Sequence, residues 1–183
     1  MLLMKSLERI MEHQHMKKTS FTTQELVFTA LMTALVFVAT YLPHIPIPLG
    51  YAHLGDAVIF LLALLTPRRS ALVAACIGSA LADLLGGFAI WIVPTLVIKF
   101  VMAEIVYRIG RRGDAIAPRA SIIAALLLSS LWMAAAYTLA GAVLYASMSA
   151  ALASSPGLVM EGIVNSIIAF FLLPLLRGRF PQF

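Results

Sequence analysis

The sequence predicts an all-α protein, an integral membrane bundle of six transmembrane helices with both termini in the cytoplasm. Three observations predict it. The 183 residues are 62% hydrophobic and only 11% charged, whereas soluble domains run roughly 45–50% apolar and about 25% charged. Apolar runs occupy 26–42, 54–66, 70–86, 93–107, 120–146 and 157–176, and several approach the ~20 residues that cross ~30 Å of hydrocarbon. The basic residues alternate with these runs. Lys17 and Lys18 precede the first, Arg68 and Arg69 follow the second, and Arg108, Arg111, Arg112 and Arg119 follow the fourth. Arg177 and Arg179 follow the sixth, while connections 44–53, 87–92 and 147–156 hold no Lys or Arg. This is the positive-inside pattern, so the net charge of +5 reports topology rather than nucleic-acid binding.

Each element has a local cause. Residues 1–21 read as a polar N-terminal extension and 22–179 as the six-helix membrane domain. Lys17-Lys18 could open a signal peptide, but the 17-residue run 26–42 is longer than the usual signal core, so it reads as a retained helix. Thr22 and Glu25 have capping-box spacing at its start, and Pro43 stops it after Leu42. Between the first two runs lies HIPIPLGYAHLGDA, residues 44–57. Its prolines remove N–H donors and stiffen it, and Ile45, Ile47 and Leu49 alternate with Pro46 and Pro48, as suits an extended lid. The second helix is short, begins near Leu54 and ends at Pro67, and the third returns to Gly86-Gly87. GGFAIWIVP is apolar and expected to pack back onto the bundle, with Pro94 in the first turn of helix four. Helix five is the longest, and SMSAALASSPG reads as a small-residue outer loop before helix six.

A charge inside a span costs at least ~2.5–3.5 kcal/mol, so each polar residue needs a reason. Counting along the helices puts Asp56, Asp83, Lys99, Glu161, Asn165, Tyr137 and Tyr145 in the outer half, with Tyr51, His53 and Trp91 in outer loops. Glu161 and Asn165 share one helix face. The structural alternatives are an Asp83–Lys99 ion pair, Asp56 as a cap of helix two, His44 and His53 as interfacial residues, and the Trp and Tyr side chains as belt anchors. The inner half holds Glu104 within reach of Arg108, and helix one offers Ala30-x-x-x-Ala34, a spacing that lets another helix approach closely. Cys76 is alone, which excludes disulfides and cysteine metal sites. No phosphate-binding glycine loop, H-E-x-x-H or G-x-S-x-G occurs, and no repeat of 20–50 residues is visible. A substrate-binding membrane protein that draws energy from a partner fits best, against an intramembrane enzyme using Asp83, Glu104 or Glu161, or an autonomous secondary transporter. No cofactor and no metal are expected.

IPLGYAHLGDAVIFLLALL, IGSALADLLGG and PTLVIKFVMAEI resemble the substrate-specific S components of energy-coupling factor (ECF) vitamin transporters, over about residues 22–177. The resemblance implies a multi-pass protein of the bacterial plasma membrane that binds a vitamin or precursor near the outer face. It implies association with a transmembrane T subunit and two cytosolic ATPase subunits. Carried over by position, it makes Ala30 and Ala34 partner-docking residues, Lys99, Trp91, Glu161 and Asn165 ligand contacts, and Asp83 the residue that orients Lys99. With His53, Tyr51, Tyr137 and Tyr145 these form the expected substrate-binding set. The motifs look most like the pyridoxine, hydroxymethylpyrimidine and riboflavin branch, and a vitamin B6 compound or hydroxymethylpyrimidine is favoured, with riboflavin next.

Overall fold

The computed structural model describes residues 21–43, 45–113 and 115–180, so His44 and residues 1–20 of the expected extension lie outside the described residues. Among the described residues six α-helices follow one another: α1 Thr23–Tyr41, α2 Gly55–Leu65, α3 Arg68–Leu85, α4 Ile92–Gly110, α5 Arg119–Leu144 and α6 Met148–Leu176. Two short antiparallel ribbons interrupt them, β1 Ile45–Ile47 with β2 Gly50–Ala52, and β3 Arg111–Arg112 with β4 Ala115–Ile116. Four spans, Thr23–Tyr41, Ala89–Gly110, Arg119–Leu144 and Met148–Leu176, are long and apolar enough to cross a membrane. At 18 residues α3 reaches about 27 Å.

The short helix is the centre of the bundle. Among the 11 residues of α2, all but Val58 are buried, as expected of a helix that is apolar all round. α1, α3, α4 and α6 pack against it, and α5 closes the wall between α4 and α6. Outward-facing leucines, valines and isoleucines on α1, α4, α5 and α6 complete an exterior suited to lipid.

The expected boundaries have visible physical causes. At the start of α1, Glu25 N donates to Thr22 Oγ1 (3.2 Å) and Thr22 N to Glu25 Oε2 (2.8 Å), a full capping box. Gly87 leaves α3 at φ +84°, a conformation that costs glycine nothing. The segment after it folds back through a 3₁₀ turn, Ala89–Trp91, which buries Trp91. One expectation is corrected. SMSAALASSPG is not a loop, because α6 already begins at Met148 under a Ser147 cap and continues through Pro156. The helix survives because Ser155 Oγ donates to Leu152 O (2.8 Å), the carbonyl that Pro156 cannot serve.

Residues 45–52 fold as a hairpin over this end of the bundle. Ile45 pairs with Ala52, Pro46 with Tyr51, and Ile47 with Gly50. Leu49 N donates to Ser154 Oγ (3.0 Å), and Leu54 N donates to Ala39 O (3.2 Å). Ile47 rests directly on α6 at Gly157, where an added Cβ would lie 2.6 Å from Ile47 Cγ2. At the opposite end, Glu104 takes Arg68 in a two-pronged pair (2.8 and 2.9 Å) and Arg108 at 2.5 Å. The Arg108 pair is legible from spacing; Arg68 comes from α3.

Gly157→Val is expected to lift the hairpin from α6 and cost about 1–3 kcal/mol by overpacking. A lower unfolding temperature and faster proteolysis within 45–52 would register it.

Candidate functional site: an aromatic, acid-lined cleft

A cleft with about 530 Å³ of space between its atoms, counted to its mouth, lies under the hairpin between α3, α5 and α6. Ile47, Leu49, Gly50, Tyr51 and His53 come from the hairpin segment, Asp83 from α3, and Phe88 and Trp91 from the turn before α4. Tyr137 and Thr138 come from α5, and Ala151, Ser154, Leu158 and Glu161 from α6. The corrected start of α6 matters here, because Ala151 and Ser154 belong to the two turns that read as loop. The hairpin is therefore a wall of the site as well as its cover.

Aromatic rings form one side. Tyr51 lies 5.1 Å from Phe88, and Trp91 lies 5.6 Å from Tyr137, centroid to centroid. Trp91 Nε1 donates to Tyr145 Oη (3.2 Å), so Tyr145 braces Trp91 from outside the lining set. Tyr51 Oη donates to Asp83 Oδ1 (3.1 Å), and Tyr137 Oη donates to Thr95 Oγ1 (3.0 Å). Burial and the neighbouring Asp83 carboxylate hold the Tyr51 phenol above its ordinary pKa, which keeps the donating proton in place.

Below the cleft lies a fully buried polar layer that secures α2. Lys99 Nζ meets Asp56 Oδ1 at 2.5 Å, with both side chains excluded from solvent. The expected Asp83–Lys99 pair is thus replaced by Asp56–Lys99, and Asp56 makes no capping hydrogen bond. The reason is packing: α2 sits inside the ring and turns Asp56 toward α4, while Tyr51 takes Asp83. Capping falls to other residues. Ala57 N donates to Asn165 Oδ1 (2.9 Å), and Gly55 N donates to His53 Nδ1 (3.2 Å). Asn165 Nδ2 donates to His53 O (2.8 Å) and Glu161 O (2.9 Å). Asn165 is wholly buried, and both ends of its amide are occupied by protein. Lys99 also sits 5.2 Å from the Tyr137 ring centroid, a cation–π contact that links this layer to the cleft wall.

Of the expected set, Trp91, Glu161, Asp83, His53, Tyr51 and Tyr137 line the cleft, whereas Lys99, Asn165 and Tyr145 stand behind it. Ile47 and Leu49, read from their alternation with the prolines as a lid, also line the cleft, whereas Ser154 and Phe88 are lining residues that carry no motif. His53, Asp56 and Glu161 bring one potential ligand atom each to within 4.8 Å of one another, and the Lys99 ammonium on Asp56 already supplies positive charge there. Ala30 and Ala34 lie exposed on α1 beside Leu26, Leu31 and Leu35.

Residues 20–177 match the family described as ECF-type riboflavin transporter, S component. The chain belongs to that family. No curated protein matches the S component sequence. As an ECF S component with four candidate spans, it is a multi-pass protein of the cell membrane.

Lys99→Met is expected to destabilise the S component by about 3–5 kcal/mol, because Asp56 is left buried and alone. Adding Asp56→Asn should recover most of that loss in thermal unfolding. Asn165→Ala is expected to cost about 1–3 kcal/mol even without ligand, since it strips the cap from α2; an unchanged unfolding temperature would count against a structural role.

Proposed function

We propose that this S component captures a small aromatic vitamin at the outer face of the membrane for ATP-driven import. A transmembrane T subunit and two cytosolic ATPase subunits would complete the importer. Family membership over residues 20–177 carries this reading, and the aromatic cleft beneath the hairpin supports it. Arg68, Arg111, Arg112 and Arg177 gather at the end away from the hairpin, which favours a cytoplasmic position for that end and for both termini. The hairpin end is then outside, where it can admit a ligand.

Three parts of the chain take on roles in this reading. Tyr51, Trp91 and Tyr137 offer ring faces for stacking, while His53, Asp83 and Glu161 offer polar contacts. Lys99, Asn165 and Tyr145 act from behind, holding α2 and Trp91 in place. The exposed α1 face around Ala30 and Ala34 lets a partner helix approach closely. A vitamin B6 compound or hydroxymethylpyrimidine, a small hydroxylated ring, suits the aromatic faces and hydrogen-bonding side chains of the cleft. Riboflavin is the second reading, favoured by the family's description.

Isothermal titration of the purified chain against a vitamin panel tests this, with binding at or below about 1 µM expected without ATP. Trp91→Ala should weaken it about tenfold or more through lost stacking. Co-purification with the T subunit and ATPases, lost on Ala34→Trp, is expected. Ion-driven uptake by the chain alone in liposomes would instead indicate a secondary transporter, and turnover of a bound compound an enzyme.

A further inference from the structure

At the end of the bundle away from the hairpin lies a second cavity, with about 550 Å³ of space between its atoms, counted to its mouth. It sits where three helices stop. Leu64 and Leu65 belong to the last turn of α2, Arg111 directly follows α4, and Arg177 directly follows α6. Ile116 of β4 and Phe180 add apolar wall. Gly178, at φ +80°, turns the chain after α6, and Phe180 comes back edge-on against Phe28 of α1, with ring centroids 6.2 Å apart. The β3–β4 ribbon and this ring pair fix two sides of the cavity.

Its charge is one-sided. Among the described residues that line it, two are arginines and none is acidic. Arg111 is buried and held in one place: its Nη1 donates to Thr66 O (2.7 Å), and its guanidinium stands 5.0 Å from the Tyr107 ring centroid. A guanidinium carries five N–H donors in a planar fork, so a side chain that braces α2 can also face an oxyanion. Arg177 is exposed at the rim and forms no ion pair with a described residue. Arg68, Arg69, Arg108, Arg112, Arg119 and Arg179 occupy the same connections and helix ends. Against them stand Glu104, which Arg68 and Arg108 already hold, and Asp114, which lies outside the described residues. An apolar floor beneath cations, at the level where membrane helices end, matches the chemistry of a phospholipid headgroup with a negative charge.

We propose that this cavity seats the phosphodiester headgroup of an anionic membrane lipid. The phosphate lies at Arg111 and Arg177, and the glycerol and first methylenes lie against Leu65, Ile116 and Phe180. Arg111 also serves the carbonyl end of α2, so a lipid held there braces the helix whose other end supports the cleft. This goes beyond vitamin capture and stands whichever compound the cleft takes.

Native mass spectrometry and thermal unfolding of the purified chain in neutral detergent test this, with phosphatidylglycerol and phosphatidylcholine of identical acyl chains as probes. Both carry the phosphate, but choline adds a cation that the arginines repel. Phosphatidylglycerol is expected to bind about fivefold or more tightly and to raise the unfolding temperature further. Arg177→Gln, at the exposed rim, should remove most of that preference. Arg119→Gln, at the same end but outside the cavity lining, should leave it in place. The comparison of the two lipids on the unaltered chain needs no variant, and equal binding overturns the proposal. A preference that survives Arg177→Gln, or falls equally with Arg119→Gln, overturns it too, since diffuse surface charge would then suffice. Equal protection by inorganic phosphate at the lipid concentration overturns the lipid assignment in favour of a free anion. Loss of assembly with the T subunit on Arg177→Gln, without any lipid preference in the chain alone, overturns it in favour of a protein contact.

Discussion

Everything in this bundle is arranged around the two ends of α2. Eleven residues enclosed by four other helices can satisfy their internal backbone bonds, but not the N–H groups of the first turn or the carbonyls of the last. Water is not available there, so other parts of the chain must supply the partners. At one end Asn165 and His53 take the N–H groups of Ala57 and Gly55. At the other, Arg111 Nη1 donates to Thr66 O (2.7 Å) and Thr66 Oγ1 to Leu62 O (2.7 Å). Arg111 is in turn seated 5.0 Å from the Tyr107 ring centroid. These contacts tie α2 to α6 and to the end of α4, and the Asp56–Lys99 pair ties it to the middle of α4.

That arrangement produces the cleft. Because Asn165 also holds His53 through its carbonyl, the segment leading from the hairpin into α2 is anchored where it passes Glu161. The hairpin then has little freedom in where its rings lie. Ile47 rests on Gly157, Leu49 is bonded through its N–H to Ser154, and Tyr51 reaches Asp83. A structural layer of buried polar residues thus supports a second layer that faces the cavity. Residues that look alike in sequence divide between them. Glu161 and Asn165, four apart on one helix face, are one turn from each other, yet Asn165 is consumed by α2 while Glu161 lines the cleft with His53 Nδ1 3.1 Å from its Oε1.

Much of the fold was legible. Thr22 and Glu25, Pro43, Pro67, Gly86-Gly87 and Pro94 act within a few residues of themselves, and each ends or starts a helix as local chemistry requires. The start of α6 was not, because SMSAALASSPG has the small residues and proline of a loop. A serine cap and the Ser155 bond to Leu152 O make it helical. The site was legible as a list of polar residues at one depth, and six of the nine expected residues reach the cleft. Their partners were not legible. Asp56 and Asp83 both lie at the right height for Lys99, and only the direction in which each helix faces selects Asp56.

The amino-acid sequence by itself determined that the chain is a six-helix membrane bundle, where all its helices but α6 begin and end to within a few residues, which end carries the arginines and which carries the aromatic and acidic residues. Those properties depend on composition, local breakers and distance along a helix at ~1.5 Å per residue. The tertiary structure alone decided that α2 lies inside the ring, that Lys99 and Asn165 serve it, and that Asp83 and Glu161 line the cleft beside Tyr51 and His53. Depth can be counted along one chain, but rotation about a helix axis is set by what packs on its other sides.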